Sequence, residues 1–510
     1  MEAFYKSFLL CFLVLILYAL TRLAYTTWLR PKRLEKLLRQ QGIKGRPYKF
    51  LLGDVKEMAK MSEKAMSKPI TLNHQIIGRV MPLFHEMVQI YGKISLGWIK
   101  TTPMLVIADA ELVRLVLTDK SGRIVKRRSN PFVRLLHRGV ASLEGEAWAT
   151  RRRSITPAFQ YEKLKAMIPQ FSTSSQDLIC RWKKLVSHQG SFELDVAPEF
   201  QVLAGDVIAR TAFGSSYEEG KKIFKLQKEQ ANLVHEAFFS FYFPGLRFLP
   251  TKKNKRRYSI DTQIKTTLRN IIHMKEEALR NEDSDNANDL LSLLLRSKAQ
   301  ADNELTIDDV IEECKLFYFA GQETTANLLT WTLVLLSMHP NWQEKARGEV
   351  LHICGKRIPD IDDINRLKIV SMVLNEVLRL YPPVVRLLRH TLKETNLQGM
   401  TIPAGVDLVL LFMSLHHDPN YWGDDAAEFR PERFAEGISK ASNDQTAFYP
   451  FGWGPRICLG QNFAAIEAKM ALAMILQNFW FELSPSYAHA PYTVITLQPQ
   501  HGAPIILHQL

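Results

Sequence analysis

Apolar positions recur every three to four residues over 164–186, 264–280, 308–338, 342–353 and 369–380, which predicts five helices that bury one face or all of it. Short β-branched or alternating runs at 104–108, 406–411 and 504–508 have the length and composition of strands. Long helices with a few brief strands predict a mainly α fold with small β-sheets. One stretch fits neither period: from Phe8 to Leu20 the chain reads FLLCFLVLILYAL without a charge, and with Ala24, Tyr25 and Trp28 it could cross a bilayer, although Arg22 interrupts it. A signal-peptide core looks similar, but no small-x-small cleavage pattern follows, so a retained anchor is the preferred reading. Arg30, Lys32, Arg33 and Lys36 come next, and the positive-inside rule places that flank and all that follows on the cytoplasmic side. The expected division is a membrane anchor over 1–29, a basic linker or hinge over 30–47 containing Gly42, Gly45 and Pro47, and one large domain over 48–510.

Composition refines this picture. Hydrophobic residues make up 46% of the 510 and charged residues 23%, so most of the chain should fold in water rather than in lipid. The net charge of +14 suits an acidic partner, an anionic membrane surface or nucleic acid. The basic residues lie after the apolar N-terminus and at Lys252, Lys253, Lys255, Arg256 and Arg257, without the aromatic spacing of a base-stacking platform, so nucleic-acid binding is set aside. The second cluster reads as a solvated loop, with a docking site as the alternative. Five cysteines, odd in number and without a C-x-x-C pair, argue against a disulfide framework or zinc site and for a reducing compartment.

The chemistry concentrates around one of those cysteines. Phe451-Gly-Trp-Gly-Pro-Arg456-Ile-Cys458-Leu-Gly460 packs glycines and a proline about a thiol directly before an apolar helical run. Glycines admit a flat cofactor close to the backbone, and a sulfur at a helix N-terminus is stabilised as the anion, a strong iron ligand. A buried structural cysteine is the bland alternative. Glu376 and Arg379 stand three apart on one helix face, with Arg433 further on; spacing alone makes the first two an ordinary helix salt bridge. Ala320-Gly321-Gln322-Glu323-Thr324-Thr325 puts poor helix formers in the middle of a long helix, which needs a reason: room beside a cofactor with a threonine hydroxyl bonded back to the helix, or a notch for helix packing. Trp148 and Arg152 share a helix face from which both could reach one carboxylate, unless this is merely a basic helix end.

Taken together these segments resemble the cytochrome P450 superfamily: F-x-x-G-x-R-x-C-x-G is matched at each fixed position, E-x-x-R and P-E-R-F match in order ahead of it, and A/G-G-x-D/E-T-T and W-x-x-x-R match as well. FAGQETT, FGWGPRICLGQNFA and the early segment QGIKGRPYKF are similar to the plant seventy-two clan of terpenoid and hormone oxidases, of the secologanin-synthase type. The resemblance implies a haem-thiolate monooxygenase carrying haem b, iron protoporphyrin IX, with Cys458 as the axial ligand. It implies Trp148, Arg152, Ala320, Gly321, Arg389, Phe451, Arg456 and Gly460 as haem contacts, Thr324 at bound oxygen and Glu323 in the proton relay. Glu376, Arg379 and Arg433 become a buried structural network, and Phe317, Ala320, Val384, Val385 and Leu497 a substrate wall. Dioxygen and NADPH-derived electrons are the implied co-substrates. The electrons come from a separate NADPH-cytochrome reductase, because nothing like a flavin or nicotinamide site is present. The implied substrate is a hydrophobic small molecule, most simply a terpenoid, met at the endoplasmic reticulum membrane with the catalytic domain in the cytosol. A haem-thiolate isomerase or dehydratase acting on a peroxide, and a non-catalytic haem-binding protein, are the rival readings; an intact Glu323-Thr324 pair argues for oxygen activation.

Overall fold

The computed structural model describes residues 1–127, 130–136, 138–187, 190–214, 217–239, 245–281, 289–299 and 305–510. They group into two compact units, one formed by Met1–Ser67, Ile77–Arg127 and Arg386–Ser414, the other by Lys68–Ile76, Arg128–Val385 and Leu415–Leu510.

The first unit holds a five-stranded sheet. Ile94–Ile99 and Thr102–Ile107 form a hairpin, Asp407–Leu410 runs parallel to the second strand, and Leu387–Thr391 and Ile124–Val125 complete the order antiparallel. Both hairpin strands are buried along all but their first residues, which is why they read as continuous apolar runs rather than alternating ones. The N-terminal apolar segment is helical over Glu2–Ala24 and continues without a break through a widened turn, Tyr25–Leu29, into the helix Arg30–Gln40. The widening has a local cause: the Thr26 hydroxyl donates to the Arg22 carbonyl at 2.8 Å and that of Thr27 to Leu23 at 2.7 Å, competing with the regular ladder. Most of the segment expected as a basic linker or hinge is therefore helical. Pro31, Leu34, Glu35 and Leu38 of Arg30–Gln40 are buried, and Glu35 accepts from Lys32, Arg39 and the Tyr48 amide.

The second unit is built on the 32-residue helix Ile307–Met338, whose N-terminus is closed by a capping box between Thr306 and Asp309 and whose C-terminus stops at His339 before Pro340. Val196–Phe213 packs along it, capped by Asp195 at one end and by Gly214, in the left-handed conformation, at the other. Ser191–Asp195, Pro504–Gln509 and Phe479–Leu483 form a three-stranded antiparallel sheet, and Pro491–Thr493 pairs with Leu497–Pro499 in a hairpin. The expected helices all occur. The run at 264–280 starts earlier, as Lys252–Asn281, so the basic cluster expected in a loop is the first turns of a helix. Its charges meet carboxylates on the helix Tyr217–Phe239: Lys253 pairs with Glu236 at 2.6 Å and Arg256 with Glu229 at 2.5 Å, while buried Arg257 lies over the Phe132 ring. A single helix explains the cluster better than a docking loop.

Candidate active site

The cysteine loop is shaped by its glycines. Gly452 and Gly454 take φ of 75° and 70°, which a side chain would resist, and this turns the chain so that the Phe451 carbonyl accepts the Cys458 amide at 3.0 Å. Gly460 then caps the helix Gln461–Asn478. A Cβ at Gly460 would stand 4.0 Å from the Cys458 sulfur and 3.8 Å from the Phe159 ring, so one aromatic side chain sits close to the thiol. Phe159 stacks on Phe317 of the long helix, with centroids 5.7 Å apart, and meets Phe463 of the cysteine helix edge-on. Cys458 is itself exposed, yet burial is the main influence on its thiol and pushes it up, against the opposing pull of the Gly460 amide and the Arg152 charge. Both observations hold if the sulfur opens onto an interior cleft rather than the outer surface. The Gly460 amide and the Arg152 charge favour the anion, and a cation bound at the sulfur would favour it further.

Two guanidiniums stand beside the loop. Arg152 donates from Nη1 to the Ile457 carbonyl at 2.8 Å, and Arg456 donates from Nη1 to the Leu143 carbonyl at 2.9 Å and pairs with Glu144. Arg456 also lies over the Trp148 ring at 4.3 Å, so the tryptophan backs this arginine. Burial lowers both guanidiniums, and Arg456 lowers Arg152 further while Cys458 opposes. Two desolvated like charges next to each other suit a dianionic partner. Arg389 belongs to the other unit, buried on the strand Leu387–Thr391, where Nη1 donates to the Leu388 carbonyl at 3.0 Å.

On the long helix, residues 310–318 and 325–336 are buried, whereas Phe319, Ala320, Gly321, Glu323 and Thr324 keep accessible surface. The Thr324 hydroxyl donates to the Ala320 carbonyl at 2.7 Å, the back-bonding expected of it. A Cβ at Gly321 would meet Cδ1 and Cγ1 of Ile208 at 2.8 Å, so this glycine is a packing notch for the helix Val196–Phe213, one of the two reasons its sequence offered. Glu323 is held on all sides: its Oε1 accepts from Thr496 Oγ1 at 2.7 Å and from Asn327 Nδ2 and Gln498 Nε2 at 3.2 Å, and its Oε2 from Gln201 Nε2 at 3.3 Å. Of the expected substrate wall, Ala320 and Val384 are partly accessible, while Phe317 is buried in the stack on Phe159 and Val385 and Leu497 are buried too. The accessible apolar groups near Leu497 are Val494 and Ile495, at the tip of the hairpin, which position in a motif did not reveal.

The support beneath the loop is ionic. Glu376 and Arg379 are both fully buried and joined by two hydrogen bonds of 2.7 and 2.8 Å, and Arg379 also donates to the carbonyls of His416, Ala426 and Glu428. Arg433 completes the network more loosely: Nε is 3.6 Å from Glu376, while Nη2 pairs with Asp425 at 2.7 Å. His416 was missed from sequence. Its Nε2 accepts the Tyr449 amide at 2.9 Å while its carbonyl receives Arg379, so the ion pair is tied to the start of the cysteine loop through one residue. Burial holds this imidazole well below its usual range, and it therefore stays a neutral acceptor.

The accessible Cys458 sulfur, two crowded guanidiniums and an accessible stretch in an otherwise buried helix fit a flat iron macrocycle with anionic substituents. A family model described as Cytochrome P450 matches residues 66–500. The chain is 53% identical over 491 residues to Cytochrome P450 CYP72A616 of Paris polyphylla, covering 95% of each chain. It is 48% identical to Secologanin synthase 1 of Catharanthus roseus over 95% of this chain and 94% of that one. To the 7-deoxyloganic acid hydroxylase of Catharanthus roseus it is 47% identical over the full length of both.

Proposed function

The chain belongs to the cytochrome P450 family and is a monooxygenase, and from that premise we propose that it inserts one oxygen atom into a terpenoid, drawing electrons from a separate NADPH-dependent reductase at the cytosolic face of the endoplasmic reticulum. Cys458 would hold the haem iron, Arg152 and Arg456 its propionates, with Trp148 backing Arg456. Bound haem supplies the dioxygen chemistry, favoured by electron donation from the thiolate. The chain's own residues do the rest. Glu323 holds a proton-transfer position one residue from Thr324, whose hydroxyl donates to the Ala320 carbonyl and so keeps its lone pairs as acceptors. Ala320, Val384 and the hairpin tip offer apolar surface to a hydrophobic molecule.

The observation that carries the oxidative reading is the acid and hydroxyl together on the accessible stretch of the long helix. A peroxide isomerase has no use for a relay held by four donors. Relatives named for secologanin synthesis and 7-deoxyloganic acid hydroxylation favour oxygenated monoterpenoids, and triterpenoids with similar apolar surface are the next class. The apolar helix Phe4–Gln40, long enough to cross a membrane, favours a membrane-bound location. The test is reconstitution of the full-length protein in membranes with a plant reductase and NADPH against a terpenoid panel. A product heavier by one oxygen, dependent on both reductase and dioxygen, is expected; turnover of hydroperoxides without either would overturn the reading in favour of the isomerase.

A further inference from the structure

The four donors on Glu323 come from three places in the second unit: Asn327 on the same helix, Gln201 on Val196–Phe213, and Thr496 with Gln498 on the C-terminal hairpin. Gln201 is fixed in turn, because its carbonyl accepts Gln322 Nε2 at 2.9 Å. The hairpin is fixed by its backbone. Between the two donors, the Leu497 amide donates to the Pro383 carbonyl at 3.0 Å and its carbonyl accepts Trp331 Nε1 at 3.2 Å, while at the tip the Val494 carbonyl meets His235 Nδ1 at 3.1 Å. Pro383 directly precedes the proposed wall residues Val384 and Val385. Ile495, next to the 2.7 Å donor Thr496, is 39% exposed although Thr496 is 2% and Leu497 0% exposed.

We propose that Thr496 and Gln498 are positioning residues for the acid of the long helix, and that the apolar tip of their hairpin, Val494 and Ile495, lets a bound hydrophobic substrate govern how firmly Glu323 is held. Among the described residues the four donors to Glu323 are neutral, and hydrogen bonds from neutral donors release more readily than a buried ion pair. Oε2 has one donor at 3.3 Å and can take a proton as it stands, but to carry that proton toward Thr324 the carboxyl group must turn, and Oε1, shared by Thr496, Gln498 and Asn327, is the oxygen that resists the turn. A substrate pressing on Ile495 acts on the adjacent Thr496, so proton delivery becomes tied to occupancy. This rests on the monooxygenase reading with a hydrophobic substrate.

The test uses full-length, haem-loaded protein carrying Thr496→Val, which keeps the shape and removes the hydroxyl, with Thr496→Ser as the conservative variant and Gln498→Leu as the second donor. Product formed per NADPH consumed is expected to fall about tenfold in Thr496→Val, with the substrate-induced spectral shift giving a Kd within about twofold of wild type, and to return in Thr496→Ser. Independently of any substrate, backbone amide exchange over 491–499 is expected to quicken in both Thr496→Val and Glu323→Ala. Unchanged exchange in both variants would overturn the hold even if no substrate were ever found. Loss of affinity and turnover in equal proportion, not restored by serine, would make the hairpin a pocket wall only. A wild type that oxidises nothing counts against the proposed function instead, and the exchange measurement still decides the hold.

Discussion

At the scale of single residues, contacts of a side chain with its own sequence neighbours were legible, and contacts with partners from far along the chain were not. Thr324 bonding back to Ala320, and Glu376 with Arg379, are three- and four-residue relations that the sequence displays. Trp148 under Arg456 and Gly321 against Ile208 are not, because each partner lies more than a hundred residues away. The Gly321 contact makes a prediction. Gly321→Ala gains about 1 kcal/mol of helix propensity, but the new methyl must displace the Cγ1–Cδ1 arm of Ile208 and also crowds its branched Cβ, which cannot swing away, at about 1–3 kcal/mol, so the variant should be the less stable in thermal unfolding. Ile208→Val in the same chain should recover part of the loss; no recovery would mean the glycine answers to something other than packing. Replacing Glu376 by Gln strands the buried Arg379 charge and should cost about 3–5 kcal/mol, seen as early unfolding with loss of haem. A cost near zero would reduce the pair to an ordinary surface bridge.

At the scale of elements, periodicity located the helices well and their functions less well. The run of basic residues at 252–257 looked like a loop because its carboxylate partners, Glu229 and Glu236, sit on another helix that a single sequence cannot bring alongside. The N-terminal apolar helix shows the same limit. Hydropathy identified the apolar stretch, but not that its helix continues to Gln40 with Leu34 and Leu38 at 7% and 0% exposure. The two truncations therefore separate. Removing residues 1–24 should leave the unfolding temperature of the rest close to that of the full chain. Removing 1–40 also strips two buried leucines, each worth about 2–5 kcal/mol, and should destabilise the first unit markedly. Equal stability of the two truncations would contradict a docked Arg30–Gln40 helix and restore the hinge.

At the scale of the whole molecule, the fold class, the central helix and the cysteine loop could all be read in advance, since the chemistry demands contiguous motifs. What could not be read is the scaffolding of neutral buried groups. Burial, with neighbouring His339, His417, His489 and Arg379, pulls His74 down to about 3, and its Nδ1 and Nε2 engage the Tyr381 hydroxyl and His339 at 3.1 Å. A histidine depressed in the folded state contributes stability that is present above the unfolded value of 6.5 and lost as pH falls toward the folded one, at about 1.4 kcal/mol per unit. Glu467, which burial pushes well above the carboxylate range, titrates in the opposite sense, so the comparison with His74→Gln isolates the imidazole: between pH 6.5 and 4 the wild type should lose stability more steeply than the variant, and parallel profiles would refute a buried neutral His74. All of this supports one sulfur. The most direct test of the account is the carbon monoxide difference spectrum of the reduced, haem-loaded protein beside that of Cys458→Ala. A strongly red-shifted Soret band in the wild type, absent from a folded variant, is the result predicted for a Cys458 thiolate on iron; the same band persisting in Cys458→Ala, or missing from well-folded wild type, would contradict it.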